Sequence, residues 1–185
     1  MSLQTVLLGS GQTQHSTHIW ARSFALMPKS DLDAIDRRIV IALQTDARLS
    51  NVDLAEKVGL SPSPCLRRVK RLEREGYIEG YRASLRRERV GLGLSVFVSV
   101  KIEGHANERA VQFEMAVAAM PEVIACHLIS GEADYLLEVV VPDLAGYQRF
   151  LIGTLLNLSM VREVKSNIAI QTVKAGAPLP LGHLQ

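Results

Sequence analysis

Between Ser61 and Arg74 the chain places Arg67, Lys70, Arg71 and Arg74 at intervals of three, one and three, with Arg68 beside them. On a helix those intervals gather side chains along one stripe. Residues 63–75 hold five basic side chains against two acidic ones. A cationic helix face of this width fits the DNA major groove. There an arginine grips guanine O6 and N7 with its two-pronged fork, and other cations neutralise phosphates. Cys65, Val69 and Leu72 recur at i, i+4 and i+7, which turns a second face inward. Ser61 and Ser63 are small enough to let the helix start approach a phosphate or base edge. The candidate DNA-binding set is therefore Ser61, Ser63, Pro64, Cys65, Arg67, Arg68, Lys70, Arg71 and Arg74. A basic helix face is more often simply solvated, so the elements around it must decide.

Those elements favour DNA. Leu32, Ile35, Ile39, Ala42 and Leu43 make a helical stripe, and Ser30 with Asp33 reads as its capping box. Asp31, Asp33 and Asp36 suit the positive end of that helix. Ser50 with Asp53 caps a short second helix carrying Leu54, Ala55 and Val58, and Gly59 ends it. The basic helix follows from Ser61-Pro62, proline being tolerated in a first turn, and Gly76 closes it. Residues 77–83 read as a short strand. Three helices and a strand are the layout of a winged helix-turn-helix. Arg82, Arg86, Arg87 and Arg89 come next, either as phosphate contacts or as a solvated linker, and composition does not choose between them.

From residue 94 the period changes to two: Val96, Val98, Val100 and Ile102 alternate with Phe97, Ser99 and Lys101. A helix near 107–119 with Ala110, Phe113 and Val117 stops at Pro121. Strands follow at 123–129 and 135–141, then a helix near 143–156 with Leu144, Tyr147, Leu151 and Leu155, and a strand near 162–173. The order βαββαβ predicts a ferredoxin-like unit, and the fold class is α+β. The expected boundaries are a flexible extension over 1–29, the winged helix-turn-helix over 30–83, a linker over 84–93, the ferredoxin-like domain over 94–174 and a loose tail over 175–185. Met27 stands as an alternative start.

Charge follows the same division. Residues 31–90 hold thirteen basic and ten acidic side chains; residues 91–185 hold six and nine. The net charge of +2 hides a basic segment followed by an acidic one.

Other chemistries find no support. The histidines, His15, His18, His105, His127 and His183, are scattered, and no His-x-x-x-His, phosphate loop or Gly-x-Ser-x-Gly occurs. Gly91-x-Gly93 is too short for a nucleotide fingerprint. Cys65 and Cys126 form no Cys-x-x-Cys, which argues against a disulfide framework or zinc knuckle and points to a reducing cytoplasm. A redox role for Cys65 lacks a nearby partner thiol. No run approaches the roughly 20 apolar residues of a membrane helix. No catalytic residue, metal or cofactor is expected.

The run Leu54-Ala55-Glu56-Lys57-Val58-Gly59-Leu60-Ser61-Pro62-Ser63-Pro64-Cys65-Leu66-Arg67-Arg68-Val69-Lys70-Arg71-Leu72-Glu73-Arg74-Glu75-Gly76-Tyr77-Ile78 resembles the leucine-responsive regulatory protein (Lrp/AsnC) family. So do Leu32-Asp33-Ala34-Ile35-Asp36-Arg37-Arg38-Ile39 and the Gly131-Glu132-Ala133-Asp134-Tyr135 loop. The resemblance spans about residues 30–173. It departs at Arg86-Arg87, where family members often carry Asp-Pro, and residues 1–26 have no counterpart.

The resemblance implies a homo-oligomeric transcriptional regulator on double-stranded DNA, acting in the cytoplasm and associated with the nucleoid. It further implies dimers formed through the sheet, often assembled into octamers, and an amino-acid effector bound between subunits near the Gly-x-x-Asp loop. Carried over, the effector residues are Gly131 and Asp134, with Ser130, Glu132, Ala133 and Tyr135 as neighbours. In this reading loop N–H groups receive the α-carboxylate and Asp134 accepts from the α-ammonium. By spacing alone the same loop is an ordinary hairpin turn. The competing reading is an architectural DNA-binding protein with no effector; a more remote one is an enzyme-associated allosteric module whose basic helix is incidental.

Overall fold

A computed structural model describes residues 32–104 and 107–184. The expected extension, the Met27 start, the Ser30 cap, Asp31 and the turn holding His105 lie outside the described residues. The chain divides into two compact units, one running to Gly80 and including Pro178 onward, the other Tyr81–Ala177.

The first unit is built on three helices. Helix α1 (Ala34–Thr45) starts at Asp33, whose carboxylate accepts the N–H groups of Ile35 and Asp36, both at 2.8 Å. The Asp36 carboxylate accepts from the Asp33 N–H at 3.3 Å, so the capping box is Asp33 with Asp36, one turn later than a Ser30 box. Helix α2 (Asn51–Val58) is capped by Ser50, which accepts from the Asp53 N–H at 3.2 Å. Gly59 closes it in the left-handed region, φ 74° and ψ 40°, which costs glycine nothing. Helix α3 (Pro62–Arg74) follows Ser61, which makes no side-chain cap bond, so Ser61 stays available at the helix start. Ile39, Ala42, Leu54, Ala55, Val58, Cys65 and Leu72 form the buried core of this unit.

Residues 77–83 do not form the expected strand; no ladder pairs them among the described residues. A strand needs a ladder to satisfy its backbone, and the Tyr77 and Ile78 N–H groups go instead to the Leu72 carbonyl at the end of α3, at 2.9 and 3.2 Å. Ile78 still packs on the helical core, so the apolar signal read there as a strand belongs to a packed extended segment.

In the second unit a 3-10 turn (Arg87–Val90) leads into β1 (Leu94–Ile102), α4 (Asn107–Ala118), β2 (Val123–Leu128), β3 (Tyr135–Val141), α5 (Leu144–Gly153) and β4 (Val161–Ile168). The sheet order is β2-β3-β1-β4 with every neighbouring pair antiparallel, the ferredoxin-like arrangement. Alternation decides the faces. Val96, Val98, Val100, Leu137, Val139 and Val141 are buried with Phe113, Val117, Tyr147 and Phe150 of the two helices. Phe97, Ser99 and Lys101 alternate with them and line the opposite, outer face.

Two boundaries differ from expectation. Strand β4 stops at Ile168, because its partner β1 begins at Leu94 and the Ala169 N–H makes the last bond, to the Ser95 carbonyl at 2.9 Å. Helix α5 ends at Gly153, and Leu155 is buried from a separate 3-10 turn (Leu155–Asn157).

Candidate nucleic-acid interface and sheet-face cleft

Helix α3 sorts its side chains by what each face meets. Cys65 and Leu72 are fully buried. Cys65 therefore cannot contact DNA as the sequence set proposed; it is a small core residue, and burial pushes its thiol upward, away from the reactive thiolate. Pro64 is half-buried, whereas Ser61, Ser63, Arg67, Lys70 and Arg74 are exposed.

Arg68 and Arg71 have a different environment. The Arg68 Nη1 donates to Asp33 Oδ2 at 2.5 Å and to Asp36 Oδ1 at 2.8 Å. The Arg71 Nη2 donates to Asp36 Oδ2, and its Nε lies 3.8 Å from Glu75 Oε2. Asp36 is the only charged side chain fully buried among the described residues. A buried carboxylate stripped of its partners costs about 3–5 kcal/mol, so these arginines are structural before they are anything else. Asp33 is held down to about 2, first by the Asp36 N–H, with Arg68 adding to it. Those same carboxylates raise the Arg68 guanidinium. Sequence spacing placed all five cations on one helix, but it could not show that two of them are neutralised by residues more than thirty positions away.

The Gly-x-x-Asp loop of the second unit is tied to β1. The Asp134 Oδ2 accepts from the Ile102 N–H at 2.9 Å, its own N–H donates to the Val100 carbonyl at 3.0 Å, and its carbonyl accepts from the Ile129 N–H at 2.9 Å. Gly131 has φ 137°, a conformation that favours glycine. Asp134 thus clamps the loop to the sheet. Tyr135, expected as an effector neighbour, is buried at 2% exposure and gives its hydroxyl to Glu114 at 2.9 Å, so it faces the helices and not the outer face. Burial, with Glu114 adding to it, raises its phenol.

Glu132 and Ala133 instead border a cleft of about 180 Å³ on the outer face, completed by Ser99, Lys101, Ile129, Glu163 and Lys165. Lys165 Nζ lies 3.3 Å from Glu132 Oε2 and 3.8 Å from Glu163 Oε1. Two ammonium and two carboxylate groups around a small hollow form a mixed-charge surface, complementary to a small zwitterion. Five of these residues were missed by reading the loop alone, four of them on β1 and β4. Their signal was the β1–β4 register, which sets Ser99 opposite Lys165 and Lys101 near Glu163. Ser130 lies exposed at the loop's start, outside the cleft's lining.

Comparison with known proteins agrees with this division. Residues 32–79 match a winged helix-turn-helix DNA-binding model, and residues 95–179 match the Lrp/AsnC ligand binding domain. The leucine-responsive regulatory proteins of Escherichia coli (strain K12) and Salmonella typhimurium are each 46% identical over 147 residues, covering 80% of this chain and 90% of theirs. Among solved structures, a transcriptional regulator from Neisseria meningitidis in complex with L-Met superposes with a TM-score of 0.80 at 41% identity, covering 83% of this chain and 99% of that one. An AsnC family transcriptional regulator from Agrobacterium tumefaciens gives 0.79 at 38% identity, covering 83% and 100%.

Proposed function

The chain belongs to the Lrp/AsnC family of transcriptional regulators, and we propose that it reads a major-groove half-site with α3 while an amino acid occupies the mixed-charge cleft of its second unit. The observation that carries the DNA contact is the exposed stripe of Arg67, Lys70 and Arg74 beginning just past the open serines Ser61 and Ser63. Arg67 and Lys70 lie nearest the helix start, where helices of this class meet base edges, and Arg74 suits a phosphate. The ligand reading is supported by the pairing of Lys101 and Lys165 with Glu132 and Glu163 beside the clamped loop. Either lysine is suited to the α-carboxylate and either glutamate to the α-ammonium. The L-Met bound by the Neisseria relative is the precedent for that chemistry.

Two α3 helices per dimer imply a near-palindromic site with half-sites about one turn, roughly 10 base pairs, apart. The dimer forms through the outer sheet face, higher assembly to an octamer follows the family pattern, and the regulator works in the cytoplasm on nucleoid DNA.

The test is the thermal unfolding of the purified protein against each common amino acid at millimolar concentration. A ligand at about a hundred times its Kd adds roughly 2.7 kcal/mol. One amino acid is expected to raise Tm in the wild type and not in Lys165→Gln. A flat response to all of them would overturn the amino-acid effector and leave DNA binding standing.

A further inference from the structure

We infer that Asp36 is a positioning residue for DNA recognition: it withholds Arg68 and Arg71 from the nucleic acid, so that α3 presents Arg67, Lys70 and Arg74 alone. The inference rests on α3 being the recognition helix, and the experiment below separates failure of either idea.

Asp36 lies on the first turn of α1, yet its exposure is zero. Its two carboxylate oxygens are divided between two guanidiniums of another helix, Oδ1 to Arg68 and Oδ2 to Arg71. Oδ2 also closes the α1 capping box on the Asp33 N–H, which fixes the carboxylate to the backbone. The arginines are drawn in accordingly: their side chains are 28% and 37% exposed, against 72% for Arg74. Arg71 is turned far enough inward that its Nε is shut off from solvent without a hydrogen-bond acceptor. A side chain reaching for phosphate would keep that edge in water.

The consequence concerns specificity. Every cation that touches phosphate adds sequence-independent affinity, and salt weakens each such contact equally on any duplex. Five free cations on one helix would favour random DNA almost as strongly as an operator. Tying two of them to a buried carboxylate lowers the non-specific background while keeping the packing that their stems give α1 and α3. An uncharged residue at either position would leave Asp36 a buried charge with one partner, so the clasp works only as a set.

The measurement is the slope of log affinity against log salt on a short duplex of mixed sequence, repeated on a duplex selected from a random pool by the wild-type protein. Arg74→Ala is expected to make the slope shallower by about 0.9, the effect of one phosphate contact. Arg68→Gln and Arg71→Gln are expected to leave it unchanged. Asp36→Asn removes the buried charge the two guanidiniums share, leaving Arg68 only Asp33 and Arg71 only Glu75: the slope on mixed sequence steepens by up to about 1.8 for two phosphates, mixed-sequence affinity rises, and discrimination between the two duplexes falls. A purely structural role for Asp36 would instead weaken binding to both duplexes without steepening the slope, and that result overturns the inference. So does a slope made shallower in Arg68→Gln or Arg71→Gln, because it would put those side chains on phosphate in the wild type. If Asp36→Asn does not fold, the two glutamine variants decide the matter. An unchanged slope in Arg74→Ala would sink the recognition-helix assignment itself.

Discussion

Asp33 and Asp36 stand three residues apart and serve different ends. Asp33 is half-exposed and caps α1; Asp36 is buried and joins α1 to α3. The Asp33 carboxyl sits near 2 against an ordinary 3.8, held there first by the Asp36 N–H. A folded value below the unfolded one means that its contribution is complete above about pH 4 and is lost as pH falls towards 2. Asparagine caps as well as aspartate but does not titrate. The melting temperature of the wild type should therefore fall more steeply between pH 4 and pH 2 than that of Asp33→Asn, and parallel curves would show that Asp33 is not the acid-sensitive group. Asp33→Ala, which removes the cap altogether, should cost about 1 kcal/mol at neutral pH. That acidic side chains gather at the start of this helix was legible in the sequence, because short acceptors at the first turn have a local reason to be there, but the same pattern puts the capping box at Ser30, one turn before Asp33. The burial of Asp36 was not, since it depends on arginines 32 and 35 residues away.

The turn between α2 and α3 sets how the proposed recognition helix leaves its partner, and it depends on the backbone of Gly59. Its φ of 74° is left-handed, and a Cβ added there would meet nothing within 4 Å. Substitution therefore carries only the conformational penalty, without a clash. Gly59→Ala should lower stability by about 1–2 kcal/mol, and Gly59→Asn by less, because asparagine tolerates this region. Urea midpoints check the order; equal losses would show that side-chain volume, not backbone conformation, sets the cost. Features of this kind read well from sequence: Gly59, Ser50 and the helical stripes are local. The misread elements failed where a partner decides. Residues 77–83 have strand-like composition but join no ladder among the described residues. The end of β4 is set by where β1 begins, 72 to 74 residues earlier in the chain, as the pairing of Val96 with Ile168 and the bond from Ala169 to Ser95 show.

Across the whole chain, charge and apolar surface are divided between two jobs. The basic segment carries α3, whereas the acidic segment carries the sheet whose outer face bears both the cleft and an apolar patch. Phe97 is 40% exposed on that face, flanked across the strands by Glu138 and Asn167, with Leu136 and Val140 nearby on β3. The cleft was not visible in the loop sequence because four of its seven lining residues come from β1 and β4, which meet only in the folded sheet. The same pairing is what builds a face broad enough to meet a second copy. Arg87 also reaches this face from the linker, donating to Ser95 Oγ and Glu138 Oε1, both at 2.9 Å, so the departure from Asp-Pro there gives the linker an anchor on the sheet. An aspartate in place of Phe97 would place charge in the middle of the proposed dimer contact without touching the buried face of β1. Phe97→Asp is therefore expected to keep its circular dichroism spectrum while its mass in sedimentation equilibrium falls towards the monomer. Its affinity for a duplex with two half-sites should drop by at least ten-fold, and its affinity for a single half-site should change little, because the loss is one of linked binding rather than of any contact made by α3. Unchanged mass would place the dimer contact elsewhere, and equal losses on both duplexes would mean that the substitution had damaged the helix-turn-helix unit itself.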